Sequence, residues 1–173
     1  MTNTPLLIFE TALGRCGIRW SASGIISVLL PSAATSRRLP LPDASAVPAD
    51  VRDAIEGIRA VLEGKRRDLR DIRLDERGID PFRRRVYAAT RDVEPGTIAT
   101  YGQVARAIGE PDSARDVGAA LARNPTPVIV PCHRVLAANR ALHGFSAPGG
   151  IETKRRMLQL EGAPGFGQQL LFG

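Results

Sequence analysis

Apolar residues change their spacing along this chain, and the change divides it into a β-patterned start and a helical remainder. Leu6-Leu7-Ile8-Phe9 reads as a strand. Cys16, Ile18 and Trp20 alternate with Arg15, Arg19 and Ser21, the period of a half-buried strand, so Cys16 is expected in the core. Ser23-Gly24 is a turn and Ile25 to Leu30 a third strand, which together predict a small antiparallel meander. Residues 31–47, rich in Pro, Ser and Ala, read as an irregular loop. Pro48 suits a helix start, and Val51, Ile55, Ile58 and Leu62 then form one apolar stripe that Gly64 ends. Leu69, Ile72 and Leu74 suggest another strand, and Asp75 to Gly78 a turn at a domain boundary.

From Asp80 the period becomes helical. Asp80-Pro81 is an N-cap followed by a first-turn proline, and Phe82, Val86, Ala89 and Val93 line the face behind it. Thr100-Tyr101-Gly102-Gln103 matches a capping box, with Val104, Ala105 and Ile108 buried by the helix it opens. Gly109 to Asp112 is a turn, and Ser113 caps the next helix, Ala114 to Arg123. There Val117 and Leu121 face a core, with Ala114 beside them, while Arg115, Gly118, Ala119 and Ala122 share the opposite side. A face without side-chain bulk, led by one arginine, reads either as the second helix of a helix-turn-helix on DNA or as a seam against another helix. A last helix runs from about Ile151 to Glu161, with Met157, Leu158 and Leu160 inward.

Composition narrows the setting. The chain has 173 residues, 43% of them hydrophobic, enough for one compact domain or two small ones. A net charge of +6 is compatible with a polyanionic partner. Two cysteines give neither a disulfide framework nor a metal cluster, so a reducing, cytoplasmic setting is expected, with no metal and no cofactor. Met1 to Pro5 shows no charged leader, so no signal peptide is expected, and no apolar run approaches membrane-spanning length. Lys65-Arg66-Arg67 reads as a solvated charge run, with a nucleic-acid role as the alternative.

The candidate chemistry lies in Pro127-Val128-Ile129-Val130-Pro131-Cys132-His133-Arg134-Val135. Val128 to Val130 reads as a brief buried strand or extended segment, which Pro131 stops for want of an amide hydrogen. A free thiol with a pKa near ~8.5 is mostly protonated at neutral pH, and an adjacent base raises the reactive fraction. His133 is that base if the backbone bends or a water bridges; otherwise Cys132 is structural and His133 a surface residue. Asn124 is either a helix-terminal residue or a side chain that pins the turn. Glu161 falls on the apolar side of the last helix, where a carboxylate needs a partner. His133 is an available one, and exposure at a frayed helix end is the alternative.

Pro131-Cys132-His133-Arg134-Val135 resembles the active-site signature of the O6-alkylguanine-DNA alkyltransferases, the methylated-DNA–protein-cysteine methyltransferases. Tyr101 after Thr100, Arg115 in Ser-Ala-Arg-Asp-Val-Gly, Asn124 in Arg-Asn-Pro, the Gly144-Phe145-Ser146 loop and Leu160-Glu161-Gly162 fall in family order. The resemblance is strong over about residues 80–165 and only textural before residue 79. It implies an α/β (α+β) fold with a small N-terminal antiparallel sheet and helix, ribonuclease-H-like, over residues 1–78. A mainly helical C-terminal domain with a helix-turn-helix would occupy residues 79–173. The implied activity is direct-reversal repair: irreversible, single-turnover transfer of an alkyl group from guanine O6 to the protein's own cysteine. Thymine O4 stands open as a further substrate.

The implied partner is double-stranded DNA with O6-alkylguanine, met by a monomer without a membrane. By the same resemblance Cys132 is the acceptor, His133 the base through water, Glu161 its orienter, and Asn124 the residue holding the site loop. Arg115 fills the gap left by the flipped base, and Ala114, Gly118, Ala119, Thr100 and Arg123 meet DNA beside it. Tyr101, Val135, Phe145 and Ser146 line the base pocket, and Tyr101 donates to the departing guanine. Phe145 stands where the family often has tyrosine, and Ala147-Pro148 lengthens the loop.

Overall fold

The computed structural model describes residues 4–36, 43–142 and 149–166. Three strands open the chain: β1 (Leu6–Thr11), β2 (Gly14–Ser21) and β3 (Gly24–Leu29), paired antiparallel in that order. The alternation holds: Cys16 and Ile18 are wholly buried and Arg19 is half-buried. α1 (Ala49–Leu62) lays Val51, Ile55, Ile58 and Leu62 on this sheet. It stops as its glycine requires. Gly64 takes φ 83°, its N–H bonds Val61 O, and the N–H of Lys65 bonds Ala60 O, a Schellman ending. Pro48 is the N-cap of this helix, one position earlier than a first-turn proline would sit.

The strand expected over Leu69 to Leu74 does not form. Asp68 accepts from the backbone N–H of Arg70, a local turn that competes with a ladder. The carbonyls of Leu69 and Ile72 are taken by the guanidinium of Arg91 at 2.7 and 2.8 Å. The segment's backbone meets the sheet only around Ile25, through an isolated bridge to Leu74 and the Ile25 N–H on Arg73 O at 2.9 Å.

The second half is helical as its caps predict. α2 (Pro81–Arg91) starts where the Asp80 carboxylate accepts the N–H of Arg83 at 3.0 Å. α3 (Tyr101–Ala107) starts at Thr100 with both bonds of the capping box made. α4 (Ala114–Ala122) follows a short turn. Ser113 occupies its N-cap but makes no side-chain cap bond there. Two short parallel strands, β4 (Ala99–Thr100) and β5 (Val135–Leu136), join the start of α3 to the chain after His133. α5 (Gly150–Leu160) ends in a second Schellman pattern, with Gly162 at φ 66° and the N–H of Ala163 on Leu158 O.

Two cores result. The first joins sheet and α1, and it also takes in Val128, Ile129 and Met157. The second holds Val86, Tyr87, Val104, Val117, Leu121, Val130, Cys132 and Val135. The sequence 128–130 therefore spans the seam between them. Val28 of β3 donates its N–H to Pro125 O at 2.9 Å, so the first half also grips that segment by its backbone.

Two substitutions separate core from cap. Ile18→Ala, at a wholly buried site, should cost about 2–5 kcal/mol in urea unfolding. Thr100→Ala, which breaks the capping box, should cost about 1 kcal/mol in the same measurement.

Candidate active site

The approach to Cys132 is a turn, not the strand or extended segment expected over Val128 to Val130. Pro125, Pro127 and Pro131 have no amide hydrogens, so no ladder can run through them. Val130 N–H folds back to Thr126 O at 2.9 Å, and Val128 is driven to φ 74°, a strained region for a β-branched residue. Pro131, at φ −80° and ψ 64°, makes an inverse γ-turn closed by Cys132 N–H on Val130 O at 2.8 Å. Asn124 holds the turn from inside. Its amide donates to Val130 O at 2.8 Å, and its carbonyl accepts the N–H of Thr126 at 3.0 Å. Of the two roles open for Asn124, pinning the turn is the one it has.

Cys132–Arg134 then form one 3-10 turn, all three residues buried. The His133 ring is wholly buried, and its Nε2 lies 2.8 Å from Glu161 Oε1. The second Schellman ending places Glu161 at the C-cap of α5, facing inward rather than frayed. A carboxylate can only accept, so Nε2 carries the hydrogen and Nδ1 keeps its lone pair. Nδ1 is buried with no hydrogen-bond partner among the described residues.

Arg134 completes the arrangement, and the sequence did not single it out. It is 4% exposed and grips both oxygens of Glu161, Nε on Oε2 at 2.9 Å and Nη2 on Oε1 at 2.7 Å. Its Nη1 donates to Val93 O at 2.6 Å. Burial alone would raise the Glu161 carboxyl, but His133 and Arg134 overcome it and hold it at about 2. Burial pushes His133 down against the pull of Glu161, so the imidazole rests neutral beside an ionised carboxylate.

Burial also dominates Cys132 and pushes its thiol up, while the Asn124 side chain and the charge of Lys154 oppose it. Cys132 keeps 7% of its surface exposed. Cys16, by contrast, is wholly buried, touches Thr11 Oγ1 and is raised to about 11, a core thiol as expected.

Tyr101 stands at the first position of α3, brought beside this turn by the β4–β5 pair. Burial raises its phenol, so it stays a hydrogen-bond donor. Val135 is wholly buried next to it. Lys154, a second residue not anticipated, is 2% exposed and donates to Val135 O at 2.9 Å.

On α4, Val117, Ala120 and Leu121 are buried. Arg115, Ala119, Ala122 and Arg123 are exposed, and Ala114 and Gly118 are half-buried. A Cβ on Gly118 would lie 3.9 Å from the Tyr101 ring, so the small face adjoins the site. Tyr87, also unanticipated, anchors the end of this helix through its hydroxyl on Ala120 O at 2.8 Å. Thr100 spends its hydroxyl on the N–H of Gln103. Phe145, Ser146 and the Ala147-Pro148 extension lie outside the described residues.

The structure is thus an α/β protein with a buried Cys-His-Glu array beside a small-faced helix. Comparisons with known proteins give the family. Residues 81–163 match the model of the 6-O-methylguanine DNA methyltransferase DNA-binding domain. A methylated-DNA–protein-cysteine methyltransferase of Mycobacterium bovis is 40% identical over 114 residues, covering 66% of this chain and 67% of that protein. One of Methanothermobacter thermautotrophicus is 32% identical over 153 residues, covering 88% and 82%. Among solved structures, Mycobacterium tuberculosis OGT in complex with DNA superposes with a TM-score of 0.73 at 33% identity, covering 93% of this chain and 96% of that one. The chain belongs to the methylated-DNA–protein-cysteine methyltransferase family.

The Glu161 array makes an acid-stability prediction. A carboxyl lowered from 4.5 to about 2 by folding adds stability above its ordinary value and loses it as pH falls through the folded value. Urea midpoints of the wild type should therefore drop as pH falls from 4.5 towards 2. Glu161→Gln should be less stable at neutral pH but show a shallower drop; equal slopes would mean the carboxyl is not ionised in the fold.

Proposed function

We propose that this protein repairs DNA by direct reversal, taking the alkyl group from O6 of guanine in duplex DNA onto Cys132 in a single turnover. The observation that carries the assignment to these residues is the buried hydrogen bond between His133 and Glu161, one residue from Cys132. The lone pair it leaves on Nδ1 takes the thiol proton by way of a water molecule. Sγ then bonds the alkyl carbon as the carbon–O6 bond breaks, and the electron pair stays on guanine. The proton taken from the thiol ends on guanine, so the products are a neutral base and a thioether. Tyr101 donates to the departing guanine, which makes the base a better leaving group. A thioether has no hydrolysis route, so the reaction stops at one equivalent.

The target carbon is unreachable in a stacked duplex, so the base must leave it, at a cost of about a few kcal/mol. The exposed, small-sided face of α4 suits close approach to DNA, with α3 and α4 acting as a helix-turn-helix. Arg115 is exposed there without an ion pair or hydrogen bond among the described residues, as a side chain that enters the vacated stack should be. Ala114, Gly118, Ala119, Thr100 and Arg123 flank it on the DNA side. Val135 borders the base pocket, which Phe145 and Ser146 complete.

We divide the chain at residue 78 into a ribonuclease-H-like N-terminal domain and a DNA-binding, alkyl-accepting one; the first core is built mostly before residue 79, with Val128, Ile129 and Met157 added to it, and the buried residues of the second all lie after it. The protein acts as a monomer in the cytoplasm. The free thiols of Cys16 and Cys132 suit that compartment, and no described helix is long and apolar enough to cross a membrane.

Intact mass tests the reaction. After incubation with duplex DNA containing O6-methylguanine, one methyl should appear on Cys132, and Cys132→Ala should gain none. Folded protein of unchanged mass would refute the assignment, and continued turnover would indicate a hydrolase. Arg115→Ala should slow repair in duplex DNA far more than reaction with free O6-alkylguanine; equal losses would remove it as the wedge.

A further inference from the structure

His133 can pass on the proton it takes or keep it, and the buried charges bonded around it decide which. The side chains of His133, Arg134 and Glu161 are 1%, 5% and 3% exposed, so they answer one another rather than water. Arg134 Nε lies 2.9 Å from Glu161 Oε2 and 3.2 Å from Oε1, and its Nη2 lies 2.7 Å from Oε1. The remaining bond to Oε1 is that of His133 Nε2 at 2.8 Å. Among the described residues Arg134 bonds no other carboxylate, and the Glu161 carboxylate bonds no other side chain.

Charge balance follows from these bonds. One carboxylate and one guanidinium already sum to zero, and the guanidinium takes both carboxylate oxygens. A proton added to His133 would make a second buried cation beside an anion whose charge is already answered. In other nucleophile–base–orienter arrangements the carboxylate stabilises the imidazolium that forms. Here the carboxylate is shared with an arginine. It orients the ring at Nε2 but is not free to hold a charge there.

We propose that Arg134 is a positioning residue for the reaction: by occupying Glu161 it makes His133 a neutral proton relay rather than a proton store. This rests on Cys132 being the acceptor and His133 its base. In that reaction the S–H bond breaks, Nδ1 holds the proton only in passing, and guanine receives it as the carbon–O6 bond breaks. A lasting imidazolium would leave the departing base an anion. The other groups around the ring agree. Burial pushes His133 down most, Glu161 pulls it up, and Arg134 and Lys154 of α5 add to the downward push. Cys132 of the same turn and Tyr101 of α3 are both raised by burial, so neither is an anion at rest. The loop after α2 offers Arg134 a carbonyl, Val93 O, and its Glu94 is exposed.

The test uses the whole protein without DNA, so its failure and the failure of repair are separate results. The chain has two histidines, and a His143→Gln background leaves His133 as the one ring observed. Its ring nitrogen resonances are titrated with Arg134 intact, in Arg134→Gln and in Arg134→Lys. With Arg134 intact, His133 should be the neutral Nε2–H tautomer at neutral pH and titrate below the ordinary value of about 6.5. Glutamine can still donate to Glu161 but carries no charge, so Arg134→Gln should raise the midpoint by about one pH unit or more, about tenfold in proton affinity. Lysine keeps the charge, and Arg134→Lys should stay close to the parent. A role in folding alone would lower the stability of both variants and leave the midpoint in place. An unmoved midpoint in folded Arg134→Gln would therefore overturn the proposal. Should that variant not fold, the parent and Arg134→Lys decide: a neutral ring at pH about 6.5 in both supports the proposal, and a mostly charged ring in either overturns it.

Discussion

The carboxylate of Glu161 is the point on which the site turns. It is an anion out of water, and it persists because Arg134 takes both of its oxygens and His133 one of them. Each partner alone would leave a buried charge half answered, which is strongly destabilising. Together they fix three things at once: the tautomer of His133, the end of α5, and, through Arg134 on Val93 O, the loop after α2. The approach is close. At Gly96 a Cβ would come within 3.1 Å of Glu161 O, and that glycine is also at φ 79°. A side chain there would push the carboxylate's own backbone away from the histidine it orients.

The turn before Cys132 is held from both sides, and this explains why a strained backbone survives there. Val128 at φ 74° would relax in isolation. Its side chain is instead buried with Ile129 in the first core, and Val28 N–H is bonded to Pro125 O. Asn124 pins Val130 from the second core. The first half of the molecule thus contributes to the site without lending it a reacting group. Its sheet and α1 are the surface against which the turn is pressed into shape.

What could be read from sequence follows from how local each signal is. The capping box at Thr100, the N-cap at Asp80 and the stop at Gly64 depend on residues within a turn of one another, and all three appear as expected. Alternation over Cys16 to Trp20 is a surface rule and also holds. Leu69 to Leu74 is a short apolar run without a period, and nothing local says whether a ladder partner exists; Val128 to Val130 is another, flanked by Pro125, Pro127 and Pro131, which lack ladder donors. In both cases the backbone found other bonds. Glu161 was found because it falls on an apolar helix face. The same argument points to Lys154, three and four residues before Met157 and Leu158, and was the missed signal. Arg134 and Tyr87 had no such mark, since an arginine after a histidine and a tyrosine between small residues look like surface. The Phe145-Ser146 side of the pocket lies outside the described residues, so that part of the expectation stays a proposal.

The balance of fields at Cys132 sets how readily its sulfur ionises. Were the sulfur already a free thiolate at rest, any small electrophile could exhaust it. Burial instead holds the thiol up, and only 7% of the residue meets solvent. A neutral imidazole with a lone pair on Nδ1 stands ready but does not by itself ionise the sulfur. The opposing groups, Asn124 and Lys154, are fixed by the same turn that carries Cys132 and do not have to move into place. In the proposed alkyl transfer, proton removal would be coupled to the arrival of an alkyl carbon whose leaving group accepts the proton. A buried thiol held in this way is less reactive towards solvent species than an exposed thiolate would be.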